Sequence, residues 1–207
     1  MKDLQAYEKD LASIRAMMER SVKFVSLSGL SGVLSGLYAL TGSTVVYFIL
    51  YYPYFPIDFH FHYTDERTIV NQLLMVAAAV LILSLGTGYF LSLRKAKKLN
   101  TTIWNTASRQ LFIDLFIPLS SGGLLIAILL FHGYYGIVAP ASLVFYGLAL
   151  QQGSRSTYPE VKYLGLTEIV LGLSCAAFPG YGLLFWALGF GVMHIVYGGV
   201  MYFRHDR

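Results

Sequence analysis

Cysteine, charge and catalytic signature motifs are all scarce in this sequence of 207 residues. The single cysteine, Cys175, excludes an intramolecular disulfide and a cysteine metal cluster. There is no Walker-type phosphate loop, no GxSxG nucleophile elbow and no HExxH zinc helix, so we predict no cofactor. Only 13% of the residues are charged, which is about half the share found in soluble domains.

Long apolar segments take the place of these features, and 56% of the chain is hydrophobic. Runs such as 73–91 and 124–131 would be apolar on every side of a helix. A chain of this length cannot surround several such helices with protein, so lipid must be their solvent. We therefore predict an all-α, polytopic membrane protein.

The predicted domain, residues 23–207, is a six-transmembrane-helix bundle built of helical hairpins, because a span needs roughly 20 residues. Glycine-rich segments at 132–136 and 179–182 are typical of turns between antiparallel helices. The predicted spans are 24–51, 67–93, 109–132, 135–151, 161–178 and 181–203.

Lysine and arginine placement predicts the orientation. With six spans, every lysine and arginine except Arg67 falls on one side of the membrane. Basic loops stay in the cytoplasm, so both termini are expected there. The net charge of +4 is then explained without nucleic-acid binding, and the lipid bilayer is the expected partner.

Residues 1–22 precede the first span and predict a cytoplasmic amphipathic helix. Their apolar positions are spaced by three and four residues: Leu4, Tyr7, Leu11, Ile14 and Met18. Such a helix either lies in the membrane interface or pairs with a second copy as a short coiled coil. Gly32 and Gly36 form a GxxxG spacing that allows close helix packing. A homo-oligomer through this pair or through the amino-terminal helix is a further hypothesis.

Three ionisable residues inside the predicted spans form a candidate polar site: Asp114, Glu168 and His194. At 1.5 Å per residue they lie at a similar depth, roughly 8–15 Å from the cytoplasmic boundary. Glu168 and His194 belong to one hairpin and are expected to face each other. Two interpretations remain open, a structural hydrogen-bonded pair or a working pocket for proton relay or acid–base chemistry.

The predicted outer loop carries a second candidate site. His60 and His62 share a face if the loop is extended, and acidic residues lie nearby, so the pair is a candidate metal site. The alternative is a solvated aromatic loop at the membrane surface.

The last third of the chain resembles small bacterial inner-membrane proteins through its Gly-rich segments 163–172, 178–184 and 189–191. It is most similar to an uncharacterised six-helix family, and more distantly to the HdeD-like acid-stress membrane proteins. The resemblance implies a bacterial inner membrane and an accessory or stress-related role of unknown activity. The alternatives are a proton-coupled small-molecule transporter and a membrane-embedded enzyme that acts on a lipid of the cytoplasmic leaflet. Whether the chain is an enzyme is thus left open, and the first expectation is that it is not.

Overall fold

The computed structural model of the chain describes residues 27–51, 66–100 and 102–206. Within these ranges the chain is all-helical and has no β-strand, and the predicted number of six helices is confirmed. The helices are α1 (Gly29–Tyr51), α2 (Glu66–Lys98), α3 (Thr106–Phe131), α4 (Val138–Gly153), α5 (Glu160–Ala177) and α6 (Gly182–Asp206). The predicted helix 1–22 and the loop with His60 and His62 lie outside the described residues.

Four of these helices, α1, α2, α3 and α6, are long and apolar enough to cross a membrane. The other two depart from that standard for different reasons. Helix α4 has only 16 residues. Helix α5 has 18 residues, but Glu160, Lys162 and Glu168 lower its hydropathy.

Two of the connections turn at glycines, in the segments that the sequence predicts as turns. Gly133, after α3, has a φ of 80°, and Gly180, after α5, has a φ of 96°. Side chains disfavour this left-handed region, so glycine is the residue that allows the chain to reverse there. Pro140 lies in the first turn of α4, where its missing N–H needs no helical partner, so the helix continues through it.

Glycine contacts hold two pairs of helices close together, α1 with α6 and α4 with α5. A Cβ added at Gly36 would lie 2.6 Å from the carbonyl oxygen of Gly191, so backbone meets backbone there. A Cβ at Gly165 would lie 2.8 Å from the carbonyl oxygen of Gly147. Gly32 also packs on α6, so the Gly32–Gly36 face is occupied within one chain.

Charged side chains tie the helices together at the end of the bundle where lysine and arginine collect, the basic end. The Lys95 ammonium of α2 lies 2.6 Å from the carboxylate of Asp206 in α6. The second Asp206 oxygen accepts a 2.7 Å hydrogen bond from the backbone N–H of Gly29, at the start of α1. Arg204 pairs with Glu160 at 2.9 Å, which links α6 to the start of α5.

We expect Gly36→Ala to lower the midpoint of thermal unfolding in detergent. The new methyl group would push α1 off α6, and overpacking of this kind costs about 1–3 kcal/mol. Gly86→Ala is the matched control, because a Cβ at Gly86 meets nothing within 4 Å. Equal midpoints for the two variants would contradict the close α1–α6 contact.

The Glu160 contacts predict an acid-sensitive contribution to stability. Burial raises the pKa of Glu160, but hydrogen bonds from its own backbone N–H, Arg204 and His205 outweigh burial and leave the pKa below the usual 4.5. A carboxylate with a lowered pKa stabilises the fold above its unfolded pKa, and this contribution disappears as the pH falls through the folded value. Thermal midpoints measured from pH 6 downward should therefore fall more steeply below about 4.5 in wild type than in Glu160→Gln. Parallel curves for the two proteins would contradict the assignment.

Candidate functional site

A cavity of about 570 Å³ lies between the α1–α6 and α4–α5 pairs, with α2 and α3 along its sides. Most of its wall is apolar. Helix α1 and the residue before it contribute a stripe of small side chains, which are Ser28, Ser31, Ser35 and Ala39. The serine stripe of α1 therefore lines the cavity, while the glycines beside it pack on α6.

The cavity opens between α2 and α3. Leu81 and Leu85 of α2 line it but are 58% and 64% exposed, and Leu119 of α3 is 42% exposed. Gly123 is also exposed there, and a Cβ at this position would meet nothing within 4 Å. Helix α2 packs mainly along α1, which leaves the gap toward α3 unfilled.

Tyr146 of α4 and His194 of α6 form the main polar contact on the cavity wall. The Tyr146 hydroxyl lies 2.7 Å from His194 Nε2, and His194 Nδ1 lies 3.0 Å from the carbonyl oxygen of Gly189. A carbonyl oxygen can only accept, so Nδ1 carries a proton, and in the neutral imidazole Nε2 accepts from the Tyr146 hydroxyl. The two rings also stack, with centroids 5.4 Å apart.

Glu168 of α5 lies behind His194. Its side chain is fully buried, and Oε1 is 3.5 Å from His194 Nδ1, which is long for a hydrogen bond. Among the described residues neither carboxylate oxygen has a hydrogen-bond partner. Oε2 occupies the space that a Cβ at Gly189 would need, so glycine is what lets the carboxyl group fit. Tyr146 and His194 both line the cavity and Glu168 does not, so the carboxyl group lies behind the hydroxyl–imidazole pair.

A π-helical segment, Ala187–Met193, comes directly before His194. A π turn is wider than an α turn and brings residues five apart into register. This is the separation of the Gly189 carbonyl and the His194 ring that bonds to it. Short π segments inside α-helices are frequent at functional sites.

Asp114 belongs to a different set of contacts. Its Oδ1 accepts a 2.7 Å hydrogen bond from Gln110, and its Oδ2 accepts a 2.8 Å bond from Ser156. Of the three ionisable residues predicted to share a site, the structure brings Glu168 and His194 together and gives Asp114 separate partners. The residue that sequence reasoning missed is Tyr146. Its one signal was a buried phenol in an apolar helix, which needs a hydrogen-bond partner.

No group of three or more histidine, cysteine, aspartate or glutamate side chains suited to a metal occurs in the described part of the chain. The candidate metal ligands His60 and His62 lie outside it. Comparison of the chain with family models, with curated proteins and with solved structures gave no match.

Glu168→Gln should leave the thermal midpoint equal to wild type or higher, because no hydrogen bond to the carboxylate is lost. Asp114→Asn is the matched comparison. Its amide N–H₂ group cannot accept a hydrogen bond, so one of the two bonds from Gln110 and Ser156 to the carboxylate is lost, and a hydrogen bond to a charged group contributes about 1.5–3 kcal/mol. A large drop in the midpoint for Glu168→Gln would show that Glu168 is a structural residue.

Proposed function

We propose that the chain is a multi-pass membrane protein that takes up a lipid-like molecule from the bilayer and holds its polar group at Tyr146 and His194. One observation carries the proposal. An apolar cavity opens sideways between two outward-facing helices, and its wall presents a hydroxyl–imidazole pair.

The membrane placement is supported by the apolar surface of α2. None of its most apolar 18-residue window is buried inside the protein, and Met75, Ile82 and Leu83 are 65%, 69% and 51% exposed. In water such a surface would be an association site on a scale that soluble monomers avoid. Orientation follows from charge, because the basic end carries Lys97, Lys98 and other lysines and arginines. We therefore assign that end to the cytoplasm.

The shape of the cavity favours a lipid-like ligand over a transported hydrophilic solute. The part nearest the end opposite the basic residues is lined by Ala77, Ile126 and Trp186. A proton-coupled carrier requires polar groups along its whole path, whereas an acyl chain fits an apolar wall. The stress-related accessory role rests on the family resemblance and stays a prediction.

A second candidate function is acid–base catalysis on the bound molecule. Neutral His194 accepts the Tyr146 hydroxyl hydrogen bond at Nε2, so the hydroxyl proton can pass to Nε2 when the Tyr146 oxygen accepts a proton from the bound ligand. A Glu168 carboxylate, 3.5 Å from Nδ1, would then stabilise the imidazolium. Tyr146 and His194 would together act as the general base, with the phenol as the relay.

Contact quenching of Trp186 tests uptake into the cavity. The chain has two tryptophans, and Trp104→Phe leaves Trp186, which lines the cavity, as the sole reporter. We expect a fatty acid brominated on its acyl chain to quench this fluorescence in detergent. Gly123→Leu should reduce quenching by filling the opening, whereas Gly86→Leu, outside the cavity lining, should not.

The same titration tests the polar contact. Tyr146→Phe removes one hydrogen-bonding group and should weaken fatty-acid binding about two- to tenfold. Quenching that is equal in wild type, Gly123→Leu and Gly86→Leu would place the fatty acid on the outer surface and contradict the proposal.

A further inference from the structure

A second concave site lies at the basic end, on the side of α4 and α5. It is a groove of about 550 Å³ lined by Leu148, Gln151, Gln152, Ser154, Arg155 and Lys162. The cavity that contains Tyr146 and His194 has different lining residues, so the two sites are separate. Gln151 donates a 2.7 Å hydrogen bond to the Lys162 carbonyl, which fixes the start of α5 against α4 and holds the groove in shape.

Both cations of the groove are available to an external anion. The side chains of Arg155 and Lys162 are exposed, and neither forms an ion pair or hydrogen bond with a side chain that the structure describes. The nearby carboxylates are already engaged. Asp114 accepts from Ser156, and Glu160 pairs with Arg204.

We propose that this groove binds the phosphate headgroup of an anionic phospholipid in the leaflet at the basic end. A guanidinium offers paired N–H donors that match phosphate oxygens, and an ammonium adds a mobile positive charge beside it. The amide of Gln152 lies in the same groove and supplies neutral hydrogen bonds, whereas the Ser154 hydroxyl already donates to the Gln151 carbonyl oxygen. The inference rests on the membrane placement proposed above and is independent of the cavity.

The apolar surroundings favour a lipid over free phosphate. Leu148 lines the groove and is 42% exposed. Along α5, Leu166, Val170 and Leu173 follow Lys162 at helical spacing on one face, and they are 46%, 60% and 60% exposed. A headgroup held at Lys162 therefore has its acyl chains directed along an apolar strip.

The test is the thermal midpoint of the detergent-solubilised full chain, titrated with phosphatidylglycerol. Wild type should be stabilised, and the double variant R155Q/K162Q should bind roughly ten- to thirtyfold more weakly. K97Q/K98Q is the matched control, because it removes two exposed charges at the same end but outside the groove. Without lipid, R155Q/K162Q should unfold at the wild-type midpoint, since the substituted side chains are exposed.

Three outcomes would overturn the proposal. Equal stabilisation by phosphatidylcholine would remove the requirement for anionic charge, and equal stabilisation by inorganic phosphate would show an anion site that does not select a lipid. Equal loss in the two double variants would show general attraction to the basic end. Trp186 quenching by the brominated fatty acid should be unchanged in R155Q/K162Q, so failure here is distinguishable from failure of the cavity proposal. Failure of the chain to insert into lipid vesicles would remove the basis of both.

Discussion

Backbone contact between α1 and α6 determines where the groups around the cavity lie. Gly29, Gly32 and Gly36 have no side chains to keep the helices apart, and a Cβ at Gly32 would lie 3.5 Å from the His194 carbonyl oxygen. The α4–α5 pair is built in the same way around Gly147 and Gly165. His194 is thus fixed on one closely packed pair, while Tyr146 and Glu168 are fixed on the other. The three side chains meet where the two pairs face each other, on elements held rigidly by their own backbones.

The cavity opens because this arrangement brings α2 and α3 into little contact with each other. Helix α2 packs mainly on α1, and helix α3 packs mainly on α4. The two helices therefore leave a gap between them. At the basic end Lys95 binds Asp206 and the Leu27 carbonyl, so α2 is held there against α1 and α6. The gap therefore lies farther along α2, at Leu81 and Leu85. In the proposed bilayer placement this position would face acyl chains, an environment that suits the apolar side chains at the opening and in the interior.

The sequence predicts the helices closely because uniform apolar runs and turn glycines are local signals. The predicted span 161–178 and helix α5, Glu160–Ala177, differ by one residue at each end. The proximity of Glu168 and His194 is also predictable, because the two residues lie at similar depth on the two helices of one hairpin. Depth alone could not show that Asp114 lies apart from Glu168 and His194. Its partner Ser156 is 42 residues away in the sequence, in a turn. The π segment was not predictable, since it depends on how α6 fits its neighbours rather than on residue type.

Two carboxyl groups are buried in the ranges that the structure describes, and their surroundings differ. Asp114 accepts hydrogen bonds at both oxygens, as expected for an acid whose task is to hold α3 to the α4–α5 turn. Glu168 is more deeply buried, yet neither oxygen has a hydrogen-bond partner among the described residues, and the chain keeps a glycine at 189 to admit it. A fold under selection for stability alone would replace such a group with an apolar side chain, because an unpaired buried carboxyl group is costly. Behind His194, a carboxylate would stabilise the imidazole in its protonated form. The contrast with Asp114 therefore supports the proposal that Tyr146, His194 and Glu168 act as one working unit.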